Sequence, residues 1–104
     1  MMRSKKLGIS KTLEDGLMTV ALTGELNTAT APKLKEAIAD DLGNVNDIVF
    51  DMTDLTYITS AGLRILLYSY QEIEDRGNVT VRGASSVVRE VIEITGFNEV
   101  VVLE

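Results

Sequence analysis

Two short runs of alternating apolar and polar residues open the chain. From Leu7 to Glu14 the alternation is weak and closes on Glu14-Asp15-Gly16; from Leu17 to Leu26, Met18, Val20 and Leu22 alternate with Leu17, Thr19, Ala21 and Thr23. A period of two sends successive side chains to opposite faces of a strand, and an Asp-Gly pair between two such runs suits a tight hairpin turn. Gly24 closes the better part of the second strand. The period then changes. Leu34, Ile38 and Leu42 recur every four residues and predict a helix over 30–42. Thr30 is placed to cap it, Pro32 falls in the first turn, where a missing N–H costs little, and Gly43-Asn44 reads as a stop signal.

Residues 48–52 form a nearly continuous apolar run, as expected of a strand buried on both faces. The polar stretch after it, 53–58, predicts a loop or a loose continuation. A second helix is expected from Ser60 to Gly77, with Leu63, Leu66, Leu67, Tyr70 and Ile73 on one face and Arg64, Gln71, Glu74 and Asp75 largely elsewhere. Residues 79–82 read as a strand and 86–95 as a third helix. Ser85-Ser86 caps that helix, Val88, Val91 and Thr95 share one side, and Gly96 closes it; 100–103 read as a last strand. The order β-β-α-β-α-β-α-β defines an α/β fold. The hairpin supplies an antiparallel pair, the strands joined through helices run parallel, and the helices pack mainly on one face of the mixed sheet.

A length of 104 residues is that of a single small domain, 1–104, with one core. Hydrophobic residues at 45% and charged residues at 25% are the balance of an ordinary globular protein. The net charge of −6, with ten Lys and Arg scattered among sixteen acids, sets nucleic acid aside, because phosphate neutralisation needs clustered cations. An acidic surface serves either solubility or a partner with a basic face. The chain has no Cys and no His, which removes Cys–His and Ser–His–Asp nucleophiles, zinc sites built on those ligands, and disulfides. That composition fits a reducing cytoplasm. The stretch MMRSKKLGIS is basic without the apolar run of a signal peptide, and no run approaches the roughly 20 apolar residues of a membrane span, so no membrane insertion is expected. Glu25, Asp51 and Asp54 are the candidate oxygen ligands for magnesium. They show no ligand spacing, and turn and cap roles account for them, so neither a metal, a cofactor nor an enzymatic activity is expected.

The most informative stretch is DMTDLTYITSAGLRILL, residues 51–67, which passes from a buried strand into a helix with Thr59 and Ser60 at the junction. A hydroxyl there can cap the first free N–H groups of the helix. The same place suits a phosphoserine, which adds roughly −1.5 to −2 charges and three acceptor oxygens. Free N–H groups and the positive end of the helix dipole can hold that charge. Gly62, in the first turn, keeps the area free of bulk, and the Tyr57-Ile58 pair serves either a partner contact or the core.

The segment TYITSAGLRILL resembles the phosphorylation-site segment of STAS domains, especially anti-sigma-factor antagonists. Ser60 matches that family's phosphoacceptor, and Ala61, Gly62 and Leu63 match its small-Gly-Leu continuation; Thr59 is the neighbouring hydroxyl. Residues 22–38, LTGELNTATAPKLKEAI, are similar to the family's Gly-Glu-Leu-Asp loop and the helix after it, and residues 86–101, SVVREVIEITGFNEVV, to its C-terminal helix and Thr-Gly turn. The resemblance covers nearly the whole chain in order. It implies a bacterial, cytoplasmic switch that binds an anti-sigma factor, usually a serine kinase of the histidine-kinase-like ATPase type, and so releases a sigma factor for transcription. Phosphorylation of Ser60 by the kinase would end the complex, and a metal-dependent serine phosphatase would restore it. The implied partner surface comprises Asn27, Thr28, Thr59, Ala61, Gly62 and Arg64. Many regulated members carry Asp where Thr59 and Asn27 stand, so two negative charges beside the acceptor are missing here. The alternative is a stand-alone STAS scaffold, or a soluble subunit of a stress-sensing or transport complex, that phosphorylation does not switch.

Overall fold

The computed structural model describes residues 6–104. Strands β1 (Leu7–Glu14) and β2 (Leu17–Leu26) form the expected hairpin. Asp15 and Gly16 both take positive φ, 52° and 80°, the backbone of a two-residue turn whose twist matches its strands. The chain continues through α1 (Ala31–Ala39), β3 (Asp47–Ile58), α2 (Ser60–Ile73), β4 (Val79–Arg82), α3 (Ser86–Ile94) and β5 (Val102–Leu103). Short 3-10 turns occupy Leu42–Asn44 and Phe97–Glu99. The five strands lie side by side in the order β1-β2-β3-β4-β5. β1 is antiparallel to β2, and every other neighbouring pair is parallel.

Alternation along the strands decides where the helices go. Met18, Val20, Leu22, Ile48, Phe50, Met52, Val79 and Val81 are at most 1% exposed, while Thr19, Ala21, Val49, Asp51 and Thr80 between them stay partly exposed. Right-handed crossovers between strands laid down in sequence order bring successive helices to the same face. Leu34 and Ile38 of α1, Leu63, Leu66 and Ile73 of α2, and Val88 and Ile92 of α3 accordingly join the inward strand residues in one apolar cluster. The opposite face mixes polar and aliphatic side chains, Thr19, Val49, Thr80 and Val102 lying in one row, and carries an Asp51–Arg82 ion pair at 3.7 Å.

The structure corrects several boundaries. Of the two expectations for residues 53–58, a loop or a continuation of the strand, the structure shows the continuation, and β3 runs unbroken for 12 residues. Its register against β2 shifts twice, between Ala21 and Thr23 and between Gly24 and Glu25. Each irregularity resets which side chains face inward. The alternation therefore lapses at Thr53-Asp54 and again at Thr56-Tyr57, leaving Leu55 and Ile58, both 1% exposed, as the inward residues. α1 stops at Ala39, and Leu42 reaches the core from the 3-10 turn instead. Gly43 is not among the left-handed residues, so no glycine stop forms there.

α2 ends at Ile73 rather than Gly77. Beyond it, the Arg76 guanidinium donates to the carbonyl oxygens of Leu42 at 2.8 Å, Val45 at 3.1 Å and Glu72 at 3.1 Å, tying the end of α2 to the 3-10 turn. α3 is capped as expected, the Ser85 hydroxyl accepting from the Val88 N–H at 3.3 Å, and Gly96 follows it in the left-handed conformation. Its buried residues are Val88 and Ile92; Val91 is only partly covered, and Thr95 is exposed, its hydroxyl donating to the Val91 carbonyl at 2.8 Å. β5 begins at Val102 because the preceding residues are taken up by the second 3-10 turn.

Candidate functional site

Two loops leave the sheet side by side at the C-terminal ends of its parallel strands, the region where open α/β sheets place their sites. Leu26 faces Ile58 across the β2–β3 pair, and the Leu26 carbonyl accepts the Thr59 N–H at 3.0 Å. The loop that begins at Asn27 therefore lies against the start of α2.

Asn27 organises the first loop. Its Oδ1 accepts the N–H groups of Ala29 at 2.9 Å and Thr30 at 3.1 Å, and its backbone carbonyl accepts that of Ala31 at 2.8 Å. Thr30, expected as the cap of α1, makes no capping bond. Its hydroxyl is committed backwards, accepting from the Asn27 N–H at 2.8 Å and donating to the Glu25 carbonyl at 2.9 Å. Asn27 thus supplies the loop's hydrogen bonds with a neutral amide oxygen, where an Asp would add a charge. Thr28 is exposed beside it.

The second loop is a single junction. Thr59 is extended, with φ −113° and ψ 178°, and its carbonyl accepts the Leu63 N–H at 3.0 Å. Neither hydroxyl at this junction behaves as the cap that helix physics suggests. Thr59 makes no capping bond, and its Oγ1 is turned inward, buried without a hydrogen-bond partner among the described residues. Ser60 is the first helical residue and is exposed.

Gly62 is buried. A methyl group at its Cα would lie 2.6 Å and 2.8 Å from the Leu26 side chain and 2.9 Å from Ile58 Cγ1. The glycine therefore lets the first turn of α2 rest on the ends of β2 and β3, facing inward rather than toward the loop surface. The Tyr57-Ile58 pair divides: Tyr57 is 47% exposed and Ile58 is core.

Thr28, Ala61 and Arg64 are brought together in a groove between α1 and α2. Its remaining lining is Ala31, Pro32, Lys35, Ile65 and Tyr68, and its volume is about 480 Å³. The Lys35 ammonium lies 4.8 Å from the centre of the Tyr68 ring, a cation–π contact across the groove. Sequence reasoning missed the α1 wall, because the approach of α1 to α2 is a tertiary contact. Pro32 and Lys35, off the Leu34–Ile38 stripe, were its only trace.

The acidic residues are otherwise engaged. Asp51 Oδ1 accepts from the Thr53 hydroxyl at 2.7 Å and the Thr53 N–H at 3.1 Å. These bonds, with the Arg82 charge as a smaller cause, hold the Asp51 carboxyl below its ordinary range. Glu25 accepts from the Asn27 amide at 3.4 Å, and Asp54 is exposed. Among the described residues no three Asp, Glu, His or Cys side chains gather as metal ligands. No described helix is long and apolar enough to cross a membrane.

Fold and site together define a small α/β binding module with a hydroxyl at the head of its central helix. The chain belongs to the STAS domain family, which matches residues 9–104. BtrV of Bordetella bronchiseptica, assigned as an anti-sigma factor antagonist, is 34% identical over 85 residues, covering 80% of this chain and 73% of BtrV. The crystal structure of an anti-sigma factor antagonist from Mycobacterium paratuberculosis superposes with a TM-score of 0.84 at 25% identity, covering 99% of this chain and 89% of that one. The anti-sigma factor antagonist SpoIIAA shares the fold. Its unphosphorylated form has a TM-score of 0.82 at 20% identity over 93% of this chain and 88% of SpoIIAA. Its phosphorylated form has 0.74 at 19% identity over 93% and 91%. Each of these relatives is named as an anti-sigma factor antagonist.

Proposed function

We propose that this chain is a cytoplasmic anti-sigma factor antagonist switched by phosphorylation of Ser60. The observation that carries this reading is the position of Ser60, exposed, outside any capping role, and beside the Asn27 loop at the head of α2. The unmodified protein binds an anti-sigma factor through Asn27, Thr28, Ala61 and Arg64, and the sigma factor is released. Thr59 and Gly62 act from beneath, seating α2 against the strands. The anti-sigma factor, acting as a serine kinase, transfers the γ-phosphoryl group of ATP to Ser60 Oγ. A new O–P bond forms, the bond to ADP breaks, and the hydroxyl proton leaves. A serine phosphatase reverses the change with water, releasing inorganic phosphate.

The added charge dissociates the complex because a dianion enclosed in a packed interface loses its hydration and repels nearby carboxylates. With Asn at 27 and Thr at 59, neither position holds a carboxylate, so phosphorylation of Ser60 brings a new negative charge to the junction. Incubation with the cognate anti-sigma factor and ATP, followed by mass spectrometry, is expected to place one phosphate on Ser60 and to release the complex. Phosphate on Thr59, or a complex indifferent to ATP, would overturn the reading.

A further inference from the structure

The α1–α2 groove differs in charge from the rest of this acidic protein. Lys11, Arg76, Arg82 and Arg89 each pair with a carboxylate. Lys33 also lacks a carboxylate but donates to the Leu7 carbonyl at 2.7 Å, whereas Lys35 and Arg64, on opposite walls of the groove, have neither a carboxylate nor a carbonyl partner among the described residues. Between them the lining is largely apolar, from Ala31, Pro32, Ala61, Ile65 and the Tyr68 ring. In a chain of net charge −6, two unpaired cations over an apolar floor are complementary to a ligand that is itself anionic and apolar. The chain's own residues 1–5, MMRSK, carry the wrong sign to fill it.

Arg64 also stands four residues after Ser60 on α2. Residues at that spacing are neighbours on a helix surface, and an anion N-terminal to a cation is the favourable order. A phosphate on Ser60 offers the guanidinium fork a bidentate partner within the same helix. We propose that the groove receives an acidic, apolar-tipped segment of the partner protein, held by Lys35 and Arg64, and that phosphorylated Ser60 expels it by drawing Arg64 onto the phosphate. This deepens the switch proposed above and rests on it for the identity of the partner. Dissociation then follows from competition for one guanidinium as well as from repulsion.

The test uses the full chain with phosphoserine installed at position 60 during synthesis, so that no kinase is needed. Two synthetic peptides serve as probes, sharing a Leu-Phe centre, one flanked by Glu and the other by Lys. Amide chemical shifts are followed during titration. The Glu-flanked peptide is expected to shift Thr28, Lys35, Ala61, Arg64 and Ile65 saturably, and the Lys-flanked peptide to leave them unmoved. Phosphoserine at 60 should weaken the acidic peptide about fivefold or more at low salt. Arg64→Gln should weaken it comparably, and phosphoserine in the Arg64→Gln background should add a clearly smaller factor than in the parent, since repulsion remains but the shared group is gone. Arg64 is exposed, so the variant keeps its fold, which the same spectra report. Equal binding of the two peptides, no binding of the acidic one, shifts outside the groove, or an undiminished phosphoserine effect in Arg64→Gln would each overturn the inference. A kinase that marks Thr59 would overturn the proposed switch alone, because the phosphoserine here is installed without one.

Discussion

Two adjacent hydroxyls at the head of α2 have opposite circumstances, and substitutions separate them. Ser60 is exposed and caps nothing. Ser60→Ala should therefore change the unfolding free energy by less than about 0.5 kcal/mol, as at an ordinary surface position, while abolishing phosphorylation and keeping anti-sigma binding. Ser60→Asp places a carboxylate where the helix dipole welcomes it, so it should fold as well and bind more weakly. The Asp effect should be smaller than that of phosphate, which carries more charge and a third acceptor oxygen. Denaturant melts paired with affinity measurements read both. The Thr59 hydroxyl is buried without a partner among the described residues, a state that costs about 1–3 kcal/mol of desolvation. Valine keeps the shape and suits an extended backbone, so Thr59→Val should stabilise the protein by about 1 kcal/mol in a urea melt. The same variant should remain a kinase substrate, which would identify Ser60 as the acceptor independently.

Among the elements, α2 depends most on one close approach. A Cβ at position 62 would come within 3.0 Å of Leu26 and Ile58. Both are core residues at the strand ends that carry the two loops. Gly62→Ala should thus cost about 1–3 kcal/mol by overpacking and lower anti-sigma affinity by tilting the helix head. Thermal unfolding together with the affinity measurement checks it; a stabilised Gly62→Ala would mean that α2 already stands off the sheet. Elements of strong periodicity were legible in the sequence. The hairpin, β4, α3's serine cap and the inward residues of β2 followed from a period of two, a turn dipeptide or a cap signature. The second half of β3 was not, because its two register shifts erase the alternation that marks a strand. The Leu34–Ile38–Leu42 stripe identified the right core residues but overran α1, since a 3-10 turn delivers Leu42 to the same place as another helical turn would. At the site, the residues contiguous with Ser60 were readable as a motif. The inward setting of Gly62 and the α1 wall of the groove were not, since both arise only when helix meets strand or helix meets helix.

For the molecule as a whole, the excess of acid makes stability sensitive to pH, and Asp51 is the carboxylate held most firmly. Its bonds to Thr53 and the charge of Arg82 keep it ionised below its ordinary pKa of 3.8. A carboxylate depressed in the folded state stabilises fully above its unfolded pKa, and that contribution is lost as pH falls through the folded value. Asp51→Asn should therefore lower the melting temperature at neutral pH, and the gap to the parent should close as pH falls below about 3.8. A gap that persists in acid would show that the Asn disturbs packing instead. The strand order has a different consequence. Every strand pairs only with its predecessor and successor in the chain, so no strand has to be inserted between two that are already joined. Assembly can then keep pace with synthesis: as the ribosome delivers each strand, its docking edge is already in place, and the sheet grows at one edge only, away from β1.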